Sequence, residues 1–526
     1  MTQPTSIAFT APHWAATEAG IRILQQGGTA TEAMVAAAAV ITVVYPHMNS
    51  IGGDSFWLVH NLSDTKPIAI DACGRSASNL SRYQSAVTLN SRGGEACITL
   101  AGTIRGWQAA LAEDKNASLP LSELLADAIR LAEQGIEVTS SLTAAINKVL
   151  AEANIPESFK ALYAPEGRVY RPGDMFCNPM LANTFKTLAE QGLDSFYQGT
   201  IADSVATTLQ REGSALTLSD HQSTKADVVE PLMAQLDGIQ CFNLPAPTQG
   251  VHSLQILSLT DRLKDKASTA ADWAHLVIEA TKQAFSDRSR ILADPAHVPT
   301  GYSAALSDSV LSEKAQQIDM NSATAWPFVS EHGDTVWMGA RDSNGQLVSF
   351  IQSVYWEFGS AVVIDNCGFT WNNRGISFTL EDGDINALEP SKKPRHTLNP
   401  AMALFDNGKR MAYGTMGGEG QPQTQAALFS RYVWQGISLE EAIATGRWLL
   451  GRTWGDATDD LKVEADLADQ IGGELTARNH QWQAVPACNE MMGHAGAIVD
   501  ENNVLEAVTD PRSDGRATVS TLIQKD

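Results

Sequence analysis

One threonine stands where it can become a nucleophile. The run Gly333-Asp334-Thr335-Val336-Trp337-Met338-Gly339-Ala340-Arg341-Asp342 puts an acid–threonine pair at the end of a polar stretch and the start of a strand-like pattern. Scission between Asp334 and Thr335 would give Thr335 both parts of a catalyst. Its hydroxyl attacks, and its own freed α-amino group takes the proton. The chemistry expected is amide hydrolysis by a chain that first cuts itself. The plain alternative is a Thr335 that merely opens an edge strand. A second feature fits the same chemistry. Met411 to Gly420 runs from a strand pattern through Gly417-Gly418 toward a helix around 423–434. Exposed backbone N–H groups at such a junction suit an oxyanion, although a Gly-Gly pair also serves as a bare strand-to-helix turn. The loop is neither a nucleotide-binding P-loop nor a dinucleotide fingerprint.

The elements around Thr335 decide what it can meet. Thr335–Arg341, the turn Asp342-Ser343-Asn344-Gly345 and Gln346–Tyr355 read as a hairpin, with Asn344-Gly345 as its turn signal. Folding there brings Ser353 within about one residue of the cross-strand partner of Thr335, so a second hydroxyl lies beside the nucleophile. Upstream, 14–25 has helical periodicity. Thr29 and Glu32 form a capping box for a helix running to about Val44. That helix lacks a polar face, which predicts burial between layers. Gly52-Gly53 leads into a strand to Val59, with 66–71 as its partner. Segments 119–153 and 178–213 read as largely helical, and 269–293 as an amphipathic helix ending at Asp294-Pro295. Residues 302–334 are polar and weakly periodic, the pattern of a mobile linker. Trp57, Trp337 and Trp371 read as core.

Composition narrows the class. The chain has 526 residues, 44% of them hydrophobic and 18% charged, as expected of a folded protein with a large core. A net charge of −23 argues against nucleic acid or an anionic membrane as partner. The amino terminus lacks a basic-then-apolar leader, and Ala33 to Tyr45 is too short to span a bilayer. The six cysteines show no metal-type spacing, so free thiols in a cytoplasmic protein, without metal or cofactor, are expected.

Taken together the segments resemble the γ-glutamyltransferase family of N-terminal-nucleophile hydrolases. The resemblance covers nearly the whole chain. It rests on Ala11-Pro12-His13, Glu18-Ala19-Gly20, Gly27-Gly28 and Gly52-Gly53, then on Gly102 to Gly106 and Ala128 to Gly135. It continues through Leu244 to Gly250 and Glu279 to Arg288. It implies an α/β (α+β) fold of the four-layer αββα type and autocleavage before Thr335. The large subunit would be 1–334, linker included, and the small one 335–526. It further implies that Gly417 and Gly418 form the oxyanion hole. Ser353 stands where the family usually has a Thr contacting the new amino terminus, and Thr397 falls in the family's Ser-Ser segment.

The departures from that pattern bear on the substrate. The position of the family's carboxylate-binding Arg is about Cys73, with an Arg only at Arg75. The acid that holds a glutamyl ammonium is replaced at Ser377, with Arg374 three residues earlier. The expected Asn after Ser353 is Tyr355. A pocket with Arg374, and Arg75 or His396, but no acid suits a substrate with a carboxylate and no amine. Tyr355 and Trp356 shorten it. Segments such as Val44 to Asn49, Gly52 to Trp57 and Ser349 to Gly359 resemble a hydrolytic branch that acts on oxamate, implying release of oxalate and ammonia in purine and allantoin breakdown. The alternatives are a γ-glutamyl hydrolase or transferase, a cephalosporin-type acylase, and an unprocessed paralogue that only binds a ligand.

Overall fold

The computed structural model describes residues 5–298, 301–326, 334–451 and 459–522. Two antiparallel sheets lie at its centre. The first has seven strands, in the order Arg516–Leu522, Thr5–Ala11, Asp334–Arg341, Leu347–Tyr355, Asp54–His60, Ile68–Ala72 and Asp227–Val229. The second has six, in the order Val504–Thr509, Gly496–Glu501, Arg410–Gly414, Ala401–Phe405, Ile239–Asn243 and Leu232–Leu236.

Strand parity explains the layering. Val336, Met338 and Ala340 pack into a core shared with the helices Trp14–Gln25, Ala30–Val44, Ala126–Gln134 and Pro179–Gln191. Trp337, between them in sequence, points the other way into a core with Phe56, Leu58, Ile351, Met402, Ala412 and Ile498. Those residues come from both sheets, so this is the inter-sheet layer. A third core joins the outer face of the second sheet to Gly250–Leu263, Ala270–Phe285 and Gln421–Phe429. The result is the expected four-layer αββα sandwich.

Several sequence expectations hold in detail. Ala30–Val44 carries the Thr29–Glu32 capping box and is buried along its whole length. The hairpin closes at Gly345, and Trp57, Trp337 and Trp371 are buried. Two expectations need correction. The 269–293 helix stops at Phe285, and a separate turn follows at Arg288–Ile291. The 302–334 stretch is not linker throughout. It forms a short turn at Tyr302–Leu306 and a helix at Asp308–Gln316, whose Leu311 packs into the core with Gly250–Leu263. Ala315 packs on the same core, and buried Lys314 bonds the Gln283 carbonyl and Asp287, so tertiary contacts dock a helix that periodicity alone hid. Residues 327–333 of that stretch, Gly333 included, lie outside the described residues. Among the described residues, no helix is long and apolar enough to cross a membrane.

Candidate active site

Parity also places the chemistry. Thr335 is two residues before Trp337, so it shares the inter-sheet face. Ser353 follows Ile351 at the same spacing, and Asp54 precedes Phe56. The pairings Ser353↔Asp54 and Tyr355↔Asp334 bring these strand ends to one edge of the layer. The ladder slips between Gln352 and Tyr355, leaving Ser353 and Val354 opposite Thr335. Ser353 is therefore where the hairpin reading put it. This bulge is held by the Tyr355 N–H, which donates to Ser353 Oγ at 2.8 Å, and Tyr355 takes a positive φ of 84°. Gly53 is required alongside, because a Cβ there would meet the Ser353 carbonyl oxygen at 2.0 Å.

Facing this edge, the Arg410–Gly414 strand of the second sheet runs into the Gly417-Gly418 loop. Both glycines have positive φ, 119° and 53°. Gly420 N–H closes onto the Gly417 carbonyl at 2.8 Å, and the helix Gln421–Phe429 starts directly after. The first side chain of that helix reaches Thr335. Gln421 Nε2 donates to Thr335 Oγ1 at 3.4 Å, with Thr335 and Gln421 both buried.

The other end of the site is a buried charged cluster. Arg374 is 1% exposed. Its guanidinium lies 3.8 Å from the centre of the Tyr355 ring, and Nη1 donates to Thr397 Oγ1 at 3.3 Å. Its Nη2 has no hydrogen-bond partner among the described residues. Behind it, Asp54 Oδ1 accepts from Gly74 N–H (2.9 Å) and Gly102 N–H (3.2 Å). His396 Nδ1 accepts the Leu398 N–H at 3.3 Å, so the proton sits on Nε2 and is donated to Asp54 Oδ2 at 3.2 Å. Burial holds the His396 pKa well below the ordinary value, so the ring is neutral. Burial also raises Asp54 to about 7, against the pull of the Gly74 amide and Arg374. The Tyr355 phenol is pushed up to about 12 by burial, so it stays protonated.

Gln249 ties the two ends together. Its Nε2 donates to the Thr397 carbonyl (2.5 Å) and to the Gly418 carbonyl (2.7 Å). Beside Gly418, buried Glu419 pairs with Arg288. Arg75 does not join this cluster. Its side chain is 44% exposed, and Nη1 bonds Asp294 and the Ser391 carbonyl, each at 3.1 Å. Arg75 thus takes the surface role, a correction to the pocket role expected for it. At Ser377 there is no acid; its Oγ donates to the Arg395 carbonyl at 3.2 Å. Cys73 is buried with its thiol pKa raised well above normal, chiefly by desolvation, so it is a neutral wall residue.

Sequence reasoning missed Asp54, Gln249 and Gln421. Only Asp54 carried a signal: it is an acid on the inward parity of an otherwise apolar strand.

Among the described residues, two groups of side chains bring three possible metal donors within 4.8 Å of one another. In Asp54–Cys73–His396, the acid and the ring already satisfy each other beside a guanidinium, and the thiol is protonated. In His275–Glu279–His480, His275 Nδ1 meets His480 Nε2 at 2.7 Å and His275 Nε2 donates to the Asp319 carbonyl at 2.8 Å. Glu279 accepts from Lys282 Nζ (2.7 Å) and from Thr324 N–H (3.0 Å). Both groups read as completed hydrogen-bond networks rather than cation cages.

Comparison with known proteins agrees with this geometry. Residues 16–520 match the family model described as Gamma-glutamyltranspeptidase. The oxamate amidohydrolase proenzyme of Klebsiella pneumoniae is 46% identical over 96% of this chain and 97% of its own length. The glutathione hydrolase-like YwrD proenzyme of Bacillus subtilis is 34% identical over 98% of each. The crystal structure of cephalosporin acylase from Bacillus halodurans superposes with a TM-score of 0.88 at 28% identity, covering 98% of this chain and 96% of that one. The chain belongs to the gamma-glutamyltranspeptidase family and is an amide-cleaving enzyme of the N-terminal-nucleophile type.

Proposed function

We propose that the chain cleaves itself before Thr335 and then hydrolyses oxamate to oxalate and ammonia. The large piece is 1–334 and the small piece 335–526. In the first half-reaction Thr335 Oγ bonds to the carboxamide carbon, and the Gly417 and Gly418 amides hold the oxyanion. The Oγ proton passes through the Thr335 amino group to the nitrogen, which leaves as ammonia. Water then attacks the oxalyl ester and returns the proton to Oγ. An N-terminal amine titrates near 8 when unperturbed, which suits a base at neutral pH. Ser353 stays beside the new amino terminus.

The observation that carries the substrate reading is Arg374: a buried guanidinium stacked on Tyr355, with Nη2 free and no acid at Ser377. A buried donor left over suits a carboxylate, while a glutamyl ammonium would find a serine in place of the family's acid at Ser377, with Asp54 already engaged by His396 and Arg374. Tyr355, fixed by its own bulge, shortens the pocket against the bulky acyl groups of a cephalosporin acylase. Thr397 orients Arg374, and His396 acts through Asp54 behind it. The relative named for oxamate supports the same choice of substrate; the proposal extends to a role in purine and allantoin nitrogen catabolism.

The test is purified protein given oxamate, with ammonia and oxalate assayed together and intact mass recorded. Equimolar products from a chain split into pieces of roughly 36 and 20 kDa, scaled by residue count, are expected. An unsplit chain without turnover would support the ligand-binding reading instead.

A further inference from the structure

We infer that Gln421 reads the leaving nitrogen and so makes this site selective for a primary carboxamide. The inference rests on the amidohydrolase reading above and extends it to the half of the substrate that Arg374 does not touch.

The argument starts from one side chain with two unequal ends. Gln421 is fully buried. Its Nε2 donates to the hydroxyl of Thr335, while its Oε1 is buried with no hydrogen-bond partner among the described residues. A buried carbonyl oxygen left unpaired is costly, so a structure that keeps one beside its nucleophile invites a donor from the ligand. Its position is fixed. Gln421 opens the helix Gln421–Phe429, with Pro422 behind it and the Gly417–Gly420 turn in front. The same loop therefore sets the oxyanion donors and this acceptor at once.

Attack by Thr335 places the carbonyl carbon within about 3 Å of Oγ1. The carbonyl oxygen goes to the glycine amides, and the carboxylate goes to Arg374. The third substituent on that carbon is the nitrogen, the one group left with N–H to donate. Gln421 Oε1 accepts one N–H of that nitrogen as the Oγ–C bond forms and the C–N bond breaks. It neither gains nor loses a proton; the proton that completes ammonia comes from Oγ by way of the Thr335 amine.

The experiment compares oxamate with monomethyl oxalate, an ester with the same acyl group and a leaving group that has no N–H. Gln421→Met should lower kcat/KM for oxamate more than for the ester, so that the amide-to-ester ratio falls by roughly 30-fold. Gln421→Glu keeps an acceptor oxygen but loses the donation to Thr335. It should slow both substrates yet leave the ratio within about threefold of the parent. An unchanged ratio in Gln421→Met, or an equally collapsed ratio in Gln421→Glu, would overturn the inference while leaving the oxamate reading intact. Parent enzyme inert on both oxalyl substrates would overturn the oxamate reading itself.

Discussion

The two ends of this site are held by different means. At the reacting end, Thr335, Ser353 and Gly417-Gly418 are placed by backbone: a hairpin register, a bulge and two left-handed glycines. At the recognising end, Arg374, Tyr355, Thr397 and His396 come from one stretch of the small piece and hold one another and the distant Asp54 through side chains. A backbone-built end fixes what reaction is possible. On the proposed reading the side-chain-built end sets the substrate, with Asp54 and Tyr355 reaching it from the same sheet that carries Thr335. Damage to the first should appear in kcat, and damage to the second in KM.

The largest effect that divides them is expected from Thr335→Ala. It should leave the chain in one piece and remove turnover by at least about 10³-fold, read on a gel and in an ammonia assay. A variant that still splits at this bond would break the comparison at its root. Next, Arg374→Lys loses the planar guanidinium but keeps a charge beside Asp54. KM for oxamate should rise by roughly 10- to 100-fold with autocleavage intact, as steady-state kinetics on the processed protein would show.

A smaller and more diagnostic effect follows from Asp54, whose pKa is raised to about 7. Above that pH its carboxylate offsets Arg374. Below it Asp54 is neutral and Arg374 is left with an unbalanced positive charge. KM for the anionic substrate should therefore fall, by about threefold or more, as pH drops through 7. Meanwhile kcat should decline as the Thr335 amine, near 8 if unperturbed, takes up its proton. Opposite slopes for the two parameters would sharpen the division, and parallel slopes would blur it. Arg75→Ala should do least. Its side chain is 44% exposed, and buried Asp294 keeps the Lys393 and Ala296 N–H groups as donors, so kinetics on oxamate should stay within about twofold of the parent.

The same division explains what could be read beforehand. The hairpin was legible because Asn344-Gly345 fixes the turn and period 2 then counts Ser353 back to Thr335. The Gly417-Gly418 loop was legible as a strand-to-helix junction, but its pattern fitted a bare turn equally well, and only the family resemblance implied an oxyanion role for it. The fold class followed from the family resemblance and from the unbroken apolar helix Ala30–Val44. The recognising end was harder. Local sequence does not separate Arg75 from Arg374, and only the tertiary course of the chain leaves one half-exposed on Asp294 and sends the other under Tyr355. Gln249 and Gln421 look like ordinary polar residues at helix starts, since the carbonyls and the hydroxyl they bond belong to other segments. The helix Asp308–Gln316 escaped because its docking depends on Leu311 meeting Gly250–Leu263, a contact no local pattern announces.

The most direct measurement sets oxamate against a chromogenic γ-glutamyl anilide on the same processed preparation. The account predicts saturable ammonia release from oxamate and negligible anilide cleavage. Strong anilide cleavage with silence on oxamate would contradict it, because a pocket with Ser377 in place of an acid would then be holding a glutamyl ammonium after all.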